Sequence, residues 1–97
     1  MPKFVIERLI PEAGKLSRRD LIAASIKSNK VLNEVNGKGN LAIQWQQSYV
    51  TDNHLYCVYI ADNKTLIEEH GRKGGFPVTN VEVVSEVIDP NTSNWKL

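Results

Sequence analysis

Two hydrophobic periods divide the chain into strands and helices. Residues 3–9 alternate as a strand, with Phe4 and Ile6 on one face and Val5, Glu7 and Leu9 on the other. Pro11 and Gly14 close it, since proline cannot extend a central ladder and glycine suits a loop. Ser17 and Asp20 then have the spacing of a capping box, with Leu16 and Leu21 at the two hydrophobic-staple positions. Leu21, Ala24, Ser25, Ser28, Val31, Leu32 and Val35 form one helical stripe. Arg18, Arg19, Lys27 and Lys30 fall mostly outside it. Asn36-Gly37 supplies the stop, and the segment through Asn40 reads as a polar loop.

Residues 42–51 and 54–61 predict a hairpin turning at Asp52-Asn53. The run Leu55–Ile60 is almost wholly apolar or aromatic, as suits a central strand buried on both faces. A second helix is predicted from about Asn63 to Lys73, with Asp62 or Asn63 as its cap. Glu68–Arg72 and Glu69–Lys73 mark its wet side, and Leu66, Ile67 and His70 its dry side. Gly74-Gly75-Phe76-Pro77 ends it. A last strand is expected over 80–88, stopped by Asp89-Pro90. The order βαββαβ predicts an α+β, ferredoxin-like fold: a four-stranded antiparallel sheet with two helices on one face. One domain is expected over residues 1–90, with 91–97 a loose polar tail apart from Trp95. Apolar residues of both strand parities imply that the open sheet face is covered, most simply by a second copy in a homodimer.

Composition narrows the partners. Twelve basic and eleven acidic side chains leave a net charge of +1, which gives no reason to expect nucleic acid or an anionic membrane. No stretch reaches the ~18 apolar residues of a membrane span, and the chain opens directly into a strand pattern. Cys57 is the only cysteine, so no internal disulfide can form, and a cytoplasmic location is expected. RNA-recognition domains share this strand order but present aromatics on one face of their third strand. Here Tyr56 and Tyr59 have opposite parity, so that platform is absent.

The candidate chemistry is sparse, and no complete catalytic motif is present, which favours a binding protein over an enzyme. His70, on the dry side of the second helix, reads as a buried hydrogen-bonding residue, a metal ligand or a general base. His54, beside the turn, needs no explanation beyond exposure. Glu7 sits in an apolar strand and must be paired, metal-bound or on a wet face. Arg8 beside it faces the other way, while Glu82 and Glu86 share one parity on the neighbouring last strand. Strict alternation puts Trp45, Gln47 and Tyr49 on one face, as a pocket floor or a dimer interface. A three-residue turn would pair Cys57 with Tyr49, whereas two- or four-residue turns put it beside Ser48.

Several blocks also resemble a known family. Pro2–Arg8, Gln44-Trp45, Ser48–Asp52, Tyr56–Ala61, Glu69-His70 and Gly75-Phe76-Pro77 occur in the order and context of the DUF4242 family of small bacterial proteins. Its best-known kind of member is a nickel-binding, nickel-responsive actinobacterial protein. The resemblance runs from Pro2 to about Pro90. It implies a ferredoxin-like fold, dimerisation through the sheet and, in some members, nickel or another divalent metal. On matching positions it implicates His70 and Glu7, then Cys57, as metal ligands, with Tyr49 and Trp45 as further binding residues. Nitrogen, carboxylate and thiolate donors all suit a divalent first-row metal. Two other readings stand beside this one. The first is a dimeric α/β-barrel enzyme or small-molecule binder with His70 as acid/base group. The second is an interaction domain with no site.

Overall fold

Strand β1 (Lys3–Leu9) defines the two faces of the sheet, burying Phe4, Ile6 and Arg8 on one side and leaving Val5 and Glu7 half-buried on the other. The computed structural model describes residues 1–37 and 42–97. Strands β2 (Ile43–Val50), β3 (His54–Ala61) and β4 (Asn80–Val83) join β1 in the order β2-β3-β1-β4, all pairs antiparallel. Helices α1 (Arg18–Asn36) and α2 (Lys64–Gly74) interleave with them, giving the expected ferredoxin-like α+β arrangement. The core of Phe4, Ile6, Leu32, Ile43, Cys57, Tyr59, Ala61, Ile67 and Val81 fills the space between sheet and helices.

The local signals act as physical chemistry requires. Ser17 Oγ accepts from the Asp20 amide at 3.1 Å, and an Asp20 carboxylate oxygen accepts from the Ser17 amide at 3.0 Å. Asn36 does more than end α1. Its amide group clamps Ile43 by two 2.9 Å hydrogen bonds, tying the helix end to the start of β2. The polar loop read through Asn40 falls partly on residues 38–41, which lie outside the described residues. Asn63 caps α2 through the Leu66 amide, and Glu69 meets Lys73 at 3.6 Å. At its far end Gly75 adopts φ +69°, where glycine is free of the Cβ penalty. The Phe76 amide then reaches back to the Gly71 carbonyl at 2.8 Å, which folds the Phe76 ring onto His70.

Two expectations need correction. The last strand, expected over 80–88, ends at Val83. β1 begins at Lys3, whose carbonyl accepts from the Val84 amide, so residues beyond have no ladder partner and Glu86 is not on the sheet. In β2 the register shifts between Trp45 and Gln47, leaving Gln46 as an extra residue. That bulge reverses the parity of the residues after it. Trp45 pairs with Tyr59 on the helix side, whereas Tyr49 pairs with Tyr56 on the open side. Gln47 and Tyr49 therefore share a face without Trp45. After the bulge, a two-residue turn at Asp52-Asn53 sets Ser48 opposite Cys57. Pro90–Asn94 forms an exposed 3-10 helix capped by Asp89, and Trp95 beyond it is exposed. No described helix is long and apolar enough to cross a membrane.

Candidate functional site

The sheet separates the candidate residues into two groups. On the helix side, α2 carries His70 into the core, where it is 1% exposed. Its Nε2 lies 3.3 Å from Ser28 Oγ of α1, and its ring packs 5.4 Å from those of Tyr59 and Phe76. Its Nδ1 is buried without a hydrogen-bond partner among the described residues. Burial lowers the imidazole from its ordinary 6.5 to about 4, the Arg8 guanidinium adds to that, and Ser28 opposes it. His70 is thus a neutral group at physiological pH.

Arg8 is the unexpected member of this side. The parity it shares with Phe4 and Ile6 takes it into the core, where it is 3% exposed. Nη1 donates to the Pro77 carbonyl at 2.9 Å, and the guanidinium lies 5.7 Å from the Phe76 ring centre. Among the described residues Nη2 has no hydrogen-bond partner, and no carboxylate is within ion-pair distance. Burial pushes the Tyr59 phenol up, with Arg8 pulling the other way. The alternation of β1 was the signal that could have flagged Arg8: a cation on the core parity needs a reason to be there.

Cys57, 3% exposed, shares the helix side with Trp45 and Ser48. Together with Arg8, Ser28, Tyr59 and Phe76 they line a cavity of about 250 Å³ beneath α1. Trp45 Nε1 donates to Ser48 Oγ at 2.9 Å within that wall.

On the open side, Glu7 pairs across the ladder with Tyr56 and Asn80, and it meets His54 diagonally. His54 Nε2 stands 4.0 Å from Glu7 Oε1, each side chain about one-third exposed, and the His54 ring stacks on Tyr56 at 5.6 Å. Val5, Val58 and Tyr49 lie near this pair on the same face, and Ile60 continues that face farther along β3. Glu82 pairs with Val5 there, so it shares the face with Glu7, while Glu86 does not.

The expected trio of His70, Glu7 and Cys57 therefore does not converge. Opposite strand parity puts Glu7 on the open face and Cys57 on the helix side, and α2 brings His70 to the helix side as well. A divalent cation does not fit the helix side, because an uncompensated guanidinium already acts there on His70 and Tyr59. The open-face pair fits better: an imidazole and a carboxylate at 4.0 Å, with no Lys or Arg among the described residues paired to either. Two donors are an incomplete set. Among the described residues, no three His, Cys, Asp or Glu side chains group to hold a metal ion.

Comparison with known proteins adds a family and a fold. A family model described as nickel responsive protein SCO4226-like matches residues 4–84. A similar solved structure is that of SCO4226 from Streptomyces coelicolor A3(2), with a TM-score of 0.72 and 11% sequence identity. The match covers 89% of this chain and 99% of that one. No curated protein sequence matches the chain.

Proposed function

The chain belongs to the SCO4226-like family of nickel responsive proteins, and from that membership we propose a small cytoplasmic protein that takes up nickel, or another divalent metal, on its open sheet face. The observation that carries this reading is the approach of His54 Nε2 to Glu7 Oε1 at 4.0 Å amid apolar and aromatic neighbours. An imidazole and a carboxylate are both donors that nickel accepts. One chain supplies too few of them, and a homodimer closed through this face brings a second imidazole and a second carboxylate. The same closure covers Val5, Val58, Ile60 and Tyr56, which are only half-buried in a single chain. The role proposed here is one of binding. His70 is assigned to the core, where Arg8 opposes a cation.

Calorimetric titration of tag-free protein with nickel tests the proposal. Wild-type protein should take up nickel at micromolar or tighter affinity, about one ion per two chains. His54→Ala and Glu7→Gln should each weaken uptake roughly tenfold or more, while His70→Gln should not. Uptake that survives both open-face substitutions, or that is lost only with His70, overturns the assignment.

A further inference from the structure

The cavity under α1 has no role in the metal reading, and its chemistry is of the opposite sign. Its wall is mostly apolar, with Leu21, Trp45, Leu55 and Phe76 among the lining residues. Among the described residues its one fully charged lining group is Arg8, 3% exposed, with Nη2 buried and unpartnered and no carboxylate in reach. Residues 38–41, which lie outside the described structure, contain no acidic side chain either. A buried guanidinium without a counter-ion is costly, and proteins seldom keep one that nothing neutralises. At about 250 Å³ the space holds roughly eight waters at ~30 Å³ each, or one small organic molecule. Leu16 at 37% and Val50 at 43% exposure line the same cavity, so it reaches solvent where α1 begins and β2 ends.

We propose that this cavity is a binding site for a small apolar monocarboxylate, whose carboxylate is held by Arg8 and whose body lies between Trp45, Leu21 and Leu55. A guanidinium matches a carboxylate in charge, and here it would meet its ligand out of water. The apolar wall argues against inorganic phosphate or sulfate, which would need several more donors than Arg8 and scattered hydroxyls offer. The site stands independently of the metal reading, because it lies on the other side of the sheet and uses none of its residues.

The test uses benzoate as probe, with benzamide as its neutral counterpart and acetate as its counterpart without an apolar body. Binding is followed by NMR on the full chain, through the indole N–H of Trp45 with exposed Trp95 as internal control. Benzoate should shift Trp45 saturably and leave Trp95 in place, with benzamide and acetate each binding roughly tenfold or more weakly. Arg8→Met keeps the side-chain length and removes the charge, and it should weaken benzoate by roughly tenfold to hundredfold. The comparison of ligands needs only wild-type protein, so it decides the matter even if the variant folds poorly. Equal binding of benzoate and benzamide removes the role of Arg8, and equal binding of benzoate and acetate removes the apolar body. No saturable shift of Trp45 with benzoate overturns the site itself.

Discussion

His70 shows how one position can read as chemistry in the sequence and act as packing in the fold. Its imidazole is wedged between Ser28, Tyr59 and Phe76, and burial lowers its pKa to about 4. In the unfolded chain the same group titrates near its ordinary 6.5. Between those values the unfolded state binds more protons, so this contribution is fully present above pH ~6.5 and falls as pH drops toward 4. About 2 to 3 kcal/mol of stability should be lost across that window in wild-type protein. Urea unfolding at pH 7 and pH 4.5, repeated on His70→Gln, checks it: the variant should lack that part of the pH dependence. A second residue-scale expectation concerns Gly71. A Cβ there would lie 2.7 Å from Val78 Cγ2 and 3.2 Å from the Phe76 carbonyl oxygen. Gly71→Ala should therefore cost about 1 to 3 kcal/mol, measurable by denaturant unfolding, despite alanine's better helix propensity.

At the scale of elements, the capping box of α1 was fully legible, and it makes a simple prediction. Ser17→Ala should lower stability by about 1 kcal/mol, read as a fall in the unfolding midpoint without a change in slope. β1 and β3 keep their expected bounds because alternation marks the first, an unbroken apolar run marks the second, and both are held on two sides. β2 misleads for a physical reason. Gln44, Gln46 and Gln47 are all polar, so nothing in the pattern marks the extra residue that turns Trp45 and Tyr49 to opposite faces. β4 misleads differently: Val84, Val87 and Ile88 continue a plausible strand, but its length is set by where β1 begins. The candidate site was less legible than the fold. Whether His70 meets Glu7 depends on which face each element turns to the other, and local pattern does not encode that. Arg8 was half visible, since its parity was plain and its lack of any partner was not.

For the whole molecule, the sheet divides the charge chemistry. One face carries an imidazole and a carboxylate about one-third exposed, and the other a buried guanidinium with no ion-pair partner among the described residues. The proposed metal uptake is assigned to the first face, away from the guanidinium of Arg8. Covering the open face with a second copy also predicts an oligomeric state. Sedimentation should give a dimer, and Val58→Lys, in the middle of that face, should shift it toward monomer while α1 and α2 stay folded by circular dichroism. The most direct test of the open-face assignment is the paramagnetic broadening of amide signals at substoichiometric nickel, with zinc as diamagnetic control. With nickel on the open face, Glu7, His54 and Tyr56 should broaden first while His70 and Gly71 keep their intensity. Early loss of the His70 and Gly71 signals, with Glu7 and His54 unaffected, would place the metal among the helices and contradict the open-face assignment.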